Sequence, residues 1–167
     1  TPLPQPAAQP KTAAGLERKL DNQILVVDDN LVNLELIIEQ LKKEGFHFIL
    51  AAHNGREAIN LAINYSPDLI LIDIQMPDMS GNEAIRKLRS HGCQIPIIAL
   101  SAFAMKEYVD ETMACGANDY ITKPINFNLL FAHINRFLDI KPARSRPRGP
   151  IEAVKSTNEP QERPPYE

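Results

Sequence analysis

A small set of polar side chains in this sequence shares one placement, directly after a short apolar run. ILVV at 24–27 leads into Asp28 and Asp29, and LILI at 69–72 leads into Asp73. IPIIAL at 95–100 leads into Ser101, and DYIT at 119–122 leads into Lys123 and then Pro124. Three carboxylates brought close together repel one another unless something cationic joins them. An acidic, all-oxygen set suits a hard cation, and Mg²⁺ typically takes one or two carboxylates and keeps several waters. Three acids carry −3, and one Mg²⁺ together with Lys123 restores the balance. The chemistry open to such a group is phosphoryl transfer. A carboxylate can attack as a nucleophile and become an acyl phosphate, while metal, lysine and hydroxyl take its equatorial oxygens.

Each residue also has a plainer use. Asp28 and Asp29 could cap the helix that follows, a role for which Asn30 competes. Asp73 precedes IQMPDMSG and could start a turn. Ser101 could cap the next helix, and Lys123 could be a surface lysine. Their combination at the ends of four separate runs favours a shared site over four accidents.

Those positions require elements to hold them, and two periods alternate along the chain. Short apolar runs stand at 24–27, 46–51 (FHFILA), 69–72, 95–100 and 119–122. Helical spacing fills the intervals. In LVNLELIIEQLKKEG, Leu34, Ile37, Ile38 and Leu41 share a face, and Gly45 ends the helix. NGREAINLAINYS repeats this with Ala58, Leu61, Ala62 and Tyr65, and SGNEAIRKLRSHG with Ala84, Ile85 and Leu88 behind a cap at Ser80. AMKEYVDETMACGA and NFNLLFAHINRFL complete the series. Uniformly apolar strands alternating with amphipathic helices predict an α/β fold, a five-stranded parallel sheet flanked by five helices. In such open sheets ligands bind beyond the carboxyl ends of the strands, which is where the polar residues fall.

Composition sets the limits. Of the 14 prolines, Pro2, Pro4, Pro6 and Pro10 lie in the first ten residues, and Pro142, Pro147, Pro150, Pro160, Pro164 and Pro165 lie after residue 140. Proline-rich, apolar-poor ends cannot bury enough surface to offset chain entropy. Residues 1–22 therefore read as a disordered linker, 23–140 as the folded domain, and 141–167 as a disordered tail. Charge divides the same way: residues 23–140 carry 9 Lys/Arg against 15 Asp/Glu, or −6, and the two ends carry 9 against 6, or +3. The whole chain, at −3, argues against direct contact with nucleic acid. No apolar run approaches the roughly 18 residues needed to cross a membrane. The opening TPLPQPAAQP has no signal-peptide character and no initiator Met, which suggests a processed protein or a fragment. Cys93 and Cys115 form no CxxC pair and read as small buried residues in a reducing compartment. His47, His53, His91 and His133 are scattered, with no acidic or thiol partner at ligand spacing.

The segments VVDDN, LILIDIQMPDMSG, IIALSA and DYITKP, in this order and spacing, closely resemble the receiver domain of two-component response regulators. The resemblance covers about residues 23–140 and implies the strand order 2-1-3-4-5. It implies that Asp73 is the phosphoacceptor, taking its phosphoryl group from a phosphohistidine on a histidine kinase or histidine phosphotransfer domain. Asp28, Asp29, Asp73 and the backbone carbonyl of Gln75 would hold Mg²⁺. Lys123 would pair with the phosphate, Ser101 would hydrogen-bond it, and Pro124 would follow a cis peptide. Tyr120 matches the family's aromatic switch, which turns inward as the hydroxyl moves toward the phosphate. Gln75 and Phe103, two residues beyond Asp73 and Ser101, stand where the family tunes attack by water. Phe103 could equally be a core-facing residue of its loop.

DDNLVNLELI and the Pro/Ala/Gln-rich leader look like a receiver attached to a hybrid histidine kinase, and no output domain is read after residue 140. A stand-alone response regulator is the alternative setting, and a pseudo-receiver that only binds partners is a third reading. The expected location is the cytoplasm, on its own or as the cytoplasmic part of a membrane-bound sensor kinase, with no direct membrane contact. Pairing of two copies through the face of the fourth helix, fifth strand and fifth helix is a further expectation. As an enzyme the domain would catalyse at most its own phosphorylation and dephosphorylation. A haloacid-dehalogenase-like phosphatase would want an acid where Gln75 stands, and a flavodoxin-like carrier would find its cofactor phosphate repelled by Asp28 and Asp29.

Overall fold

The computed structural model describes residues 21–139. The expected linker, apart from its last two residues, and the expected tail lie outside this range. Five strands alternate with five helices: β1 Gln23–Val27, α1 Leu31–Lys43, β2 Phe48–Ala52, α2 Gly55–Tyr65, β3 Leu69–Asp73, α3 Gly81–Ser90, β4 Ile97–Ser101, α4 Lys106–Cys115, β5 Asp119–Thr122 and α5 Phe127–Asp139. All strand pairs are parallel and the order is β2-β1-β3-β4-β5.

The apolar runs explain the layers. Alternate strand residues point to opposite faces, so strands covered on both sides must be apolar throughout. Ile24, Val26, Leu69, Leu71, Ile98 and Leu100 pack against Leu34, Ile37 and Leu41 of α1 and Leu130 and Ile134 of α5. On the other face Leu25, Val27, Ile70, Ile72 and Ala99 meet α2 through Ala58 and Ala62, and α3 through Ala84, Ile85 and Leu88. Each large aliphatic side chain fully buried in this way contributes about 1.5–3 kcal/mol. The small side chains of α2 and α3 let those helices lie close to the sheet.

The helix starts follow from local chemistry. The Asn30 side chain accepts from the Val32 and Asn33 amides, Asn54 from Glu57, and Ser80 from Glu83. Such caps satisfy amide groups that the helix itself cannot, at about 1 kcal/mol each. Asn30 is therefore the cap of α1, which leaves Asp28 and Asp29 outside that role. Ser101 caps nothing either: α4 starts five residues later behind Met105, which supplies no side-chain cap.

Four strand limits differ from the sequence reading: β1 gains Gln23, β3 gains Asp73, and β2 and β4 shift toward the C-terminus. The second run, 46–51, becomes Phe48–Ala52, because Phe46 is buried against α1 while His47 is exposed. The run 95–100 becomes Ile97–Ser101. Ile95 and Pro96 form the approach to β4, where the Ile95 carbonyl is held by Arg89. Arg89 is a structural bolt that composition does not announce. Its guanidinium donates to the carbonyls of Cys93, Ile95 and Gly116 and to the Asn118 side chain at 2.7–3.0 Å, tying the ends of α3 and α4 to β4 and β5. Burial lowers its pKa from the ordinary arginine value. Of the cysteines, Cys115 is buried and Cys93 half-buried.

Candidate functional site

The sheet register brings the strand ends together. Val27 lies opposite Ile72, Asp73 opposite Leu100, and Ser101 opposite Thr122. The ladder then runs one step past the strands, with the amides of Asp28, Ile74 and Lys123 donating to the carbonyls of Ala52, Leu100 and Ser101. Three chain segments thus leave the sheet at one level, and their first side chains share a rim.

Asp28 is fully buried and Asp73 is 4% exposed, whereas Asp29 faces solvent. One carboxylate oxygen from each of the three lies within 4.8 Å of the others. Lys123 Nζ stands 3.2 Å from Asp73 Oδ2 and 3.4 Å from Asp28 Oδ2. Backbone amides fix the opposite oxygens: Asn30 donates to Asp28 Oδ1 at 2.9 Å and Gln75 to Asp73 Oδ1 at 3.1 Å. Asp73 has its pKa raised. Loss of hydration on burial is the largest cause, Lys123 opposes it, and the charge of Asp28 adds to it. Among the described residues Lys123 is the cation paired with these carboxylates; it leaves an acidic excess, which a divalent cation would relieve. The donor set, hard carboxylate oxygens on one accessible rim, fits Mg²⁺.

The loop after β3 is shaped for this approach. A Cβ on Gly81 would stand 2.4 Å from the Asp73 carbonyl oxygen and 2.8 Å from Ile74 Cα, so only glycine lets α3 start this close to the strand end. The Gly81 amide donates to the Ile74 carbonyl at 3.0 Å and closes the loop. The peptide bond between Lys123 and Pro124 is cis.

A family model for the response regulator receiver domain matches residues 24–135. The chain belongs to this family. Receivers accept phosphoryl groups in two-component signalling, bind Mg²⁺ at an acidic pocket, and work with histidine kinases or phosphotransfer proteins; Asp28, Asp29 and Asp73 form such a pocket here. The receiver is similar to the regulatory protein AtoC of Escherichia coli, 36% identical over 120 residues, which are 72% of this chain and 26% of AtoC. It is 42% identical over 127 residues to hybrid signal transduction histidine kinase I of Dictyostelium discoideum, covering 70% of this chain and 7% of that kinase. It is 34% identical over 118 residues to the chemotaxis protein CheY of Bacillus subtilis, covering 71% of this chain and 98% of CheY. The chain thus spans a small part of two of these relatives and nearly all of the third. Among solved structures, the receiver of a signal transduction histidine kinase from Syntrophus aciditrophicus superposes with a TM-score of 0.67 at 33% identity, covering 74% of this chain and 96% of that one. The Francisella response regulator 1452 receiver gives 0.67 at 30% identity, with coverages of 71% and 97%.

The remaining residues singled out from sequence fall around this rim in different ways. Ser101 is fully buried, and its hydroxyl accepts from the Gln75 side chain at 2.7 Å and from the Phe103 amide at 3.1 Å. Tyr120 is half-buried against the α2–α3 face, and its hydroxyl donates to the Phe103 carbonyl. Phe103 is 46% exposed and stacks on Tyr108 at 4.7 Å, which rules out the core-facing alternative. His133 does have an acidic partner, contrary to the sequence reading. Its Nδ1 pairs with Asp119 on β5, which also meets Arg136 at 3.2 Å. That cluster is formed by a helix folding back along an edge strand, so spacing in the chain could not show it. The reach of the Gln75 side chain to β4 was also missed, since the sequence gives its distance from Asp73 but not the loop it faces. Among the described residues no helix is long and apolar enough to cross a membrane.

Proposed function

We propose that Asp73 is the phosphoacceptor of this receiver and that Asp28, Asp29 and Asp73, with the backbone carbonyl of Gln75, hold the Mg²⁺. The observation that carries the reading is Lys123 Nζ bridging the two buried carboxylates, with the third carboxylate oxygen within 4.8 Å. Asp73 Oδ forms the new bond to phosphorus as the bond from phosphorus to the donor imidazole nitrogen breaks, and the imidazole, carrying a proton on its other nitrogen, leaves neutral. The amide of Gln75 fixes the carboxylate for attack. Lys123 then turns from a carboxylate pair to the phosphoryl oxygens, and Ser101 donates its O–H to one of them. When bound, Mg²⁺ supplies positive charge against those oxygens. Burial keeps bulk water from the acyl phosphate, and Gln75 and Phe103 flank the path by which water reaches it. Tyr120 reads the loop movement as a change in packing on the α4–β5–α5 face, where two copies would pair.

The setting that fits best is a hybrid histidine kinase, supported by the 42% identity to the Dictyostelium kinase over this segment. A stand-alone regulator is the second setting, supported by the near-complete coverage of CheY. In both, residues 23–140 form the working unit in the cytoplasm. A pseudo-receiver is disfavoured because all the acids and the lysine are present. The test is intact-mass spectrometry after incubation with acetyl phosphate, with and without Mg²⁺. One Mg²⁺-dependent phosphoryl adduct on the wild type and none on Asp73→Asn is the expected result. A wild type that stays unmodified would move the assignment to the pseudo-receiver.

A further inference from the structure

Gln75 joins the site to the β4–α4 loop, and nothing in phosphoryl transfer itself requires its carboxamide. Its backbone amide is on Asp73 Oδ1. Its side chain uses both ends across the gap: Nε2 donates to Ser101 Oγ at 2.7 Å, and Oε1 accepts from the Ala102 amide at 3.0 Å. A hydroxyl has two acceptor lone pairs and one O–H. The Phe103 amide takes the second lone pair of Ser101, at 3.1 Å. One side chain therefore fixes the hydroxyl together with the peptide that follows it. The other anchors of this stretch are the Tyr120 hydroxyl on the Phe103 carbonyl and the stacking of Phe103 on Tyr108. Residues 102–105 are exposed, Met105 gives α4 no side-chain cap, and α4 buries only Thr112 and Cys115.

We propose that the Gln75 carboxamide is a latch that holds the β4–α4 loop in its unphosphorylated arrangement, and that a phosphoryl group on Asp73 displaces it from Ser101 and Ala102. The proposal rests on Ser101 being the hydroxyl that meets the phosphoryl group. The direction of exchange follows from charge. A phosphoryl group brings about −1.5 to −2 charge and three strong acceptor oxygens. Hydrogen bonds to a charged acceptor are about twice as strong as those to a neutral amide oxygen. The new oxygens therefore win the Ala102 N–H from Gln75 Oε1 and take the Ser101 O–H, and the turn of that hydroxyl toward the phosphoryl group draws its oxygen away from Gln75 Nε2. The half-buried carboxamide swings to water, where its own groups are satisfied. Until then the latch subtracts its strength from the affinity for the phosphorylated arrangement. Gln75 is in this sense a positioning residue, acting through Ser101 and Ala102.

The test is a titration with beryllofluoride in Mg²⁺, a phosphoryl mimic that is not hydrolysed, on wild type and Gln75→Met. Methionine keeps the length of the side chain and loses both hydrogen bonds. Half-saturation should fall by about three- to tenfold, the effect of releasing one net hydrogen bond. A role for Gln75 in orienting attacking water would leave this titration unmoved, and a direct contact to the phosphoryl group would weaken binding. Either result overturns the latch. A wild type that binds no beryllofluoride overturns the phosphoacceptor reading and the latch with it, whereas equal binding by both proteins sinks the latch alone. A second measurement needs no variant. In wild-type protein the Gln75 side-chain NH₂ and Ala102 amide resonances should move on beryllofluoride binding, with the NH₂ pair shifting toward solvent-exposed positions. A Gln75 NH₂ pair that stays in place would also overturn the proposal.

Discussion

β3 carries a buried aspartate at each end, and the two are treated in opposite ways. Asp68, 5% exposed, precedes the strand, and its Oδ2 accepts from the Gln23 amide at 2.8 Å. Its own amide donates to the Gln23 carbonyl at 2.8 Å, so the residue locks β1 to β3 before the ladder begins. Asp73, 4% exposed, ends the strand beside Asp28, another buried acid, and its pKa is raised despite Lys123. Burial is the same and the strand is the same. Both accept a backbone amide, from Gln23 at one end and Gln75 at the other; what Asp73 has in addition is the like charge of Asp28, which Lys123 does not fully offset. One aspartate serves the fold, and the other is held at a cost to it.

The sharpest way to break this contrast is Asp73→Asn. Phosphorylation should disappear, while stability without Mg²⁺ at neutral pH should rise. The sign follows from the raised pKa. A carboxyl whose folded pKa lies above its unfolded one stabilises fully below the unfolded value and loses that contribution as pH rises through the folded value. The advantage of Asp73→Asn should therefore shrink as pH falls through that window, which urea unfolding at several pH values would measure. Equal or lower stability of the variant at pH 7 would remove the contrast. Asp68→Ala should do the reverse, with a loss of about 2–3 kcal/mol from the stranded Gln23 amide and normal labelling of the folded protein by acetyl phosphate. Gly81→Ala sits between the two. Its Cβ must push on the Asp73 carbonyl at 2.4 Å, so about 1–2 kcal/mol should be lost and labelling should slow, read by thermal unfolding and mass spectrometry together. The smallest effect is expected at an exposed pair away from both aspartates. Glu39→Gln, which removes the bridge to Lys43 at 3.4 Å, should cost about 0.3 kcal/mol in the same unfolding assay.

Much of the fold and site was legible because the sheet is parallel and covered on both faces. An apolar run followed at once by Asp28, Asp73 or Lys123 says that the side chain stands where a strand leaves the core, and parallel strands end at one rim. The caps Asn30 and Ser80 were legible for a similar reason, since a cap bonds within three residues of itself. Contacts between distant segments were not. Gln75 meets Ser101 across 26 residues, Arg89 meets Gly116 across 27, and Gln23 meets Asp68 across 45. In each case the residue type allows many partners, and only the packing of loops and helix ends selects one.

The sequence by itself determined the order of elements, the two apolar faces and the set of acids, hydroxyl and lysine at the strand ends, because side-chain period and chain direction are local properties. The tertiary structure alone decided that Lys123 bridges Asp73 and Asp28, that Ser101 is held by Gln75, and that His133 has an acid. Those outcomes depend on register and on how a helix lies against the sheet, which are set by the whole core at once.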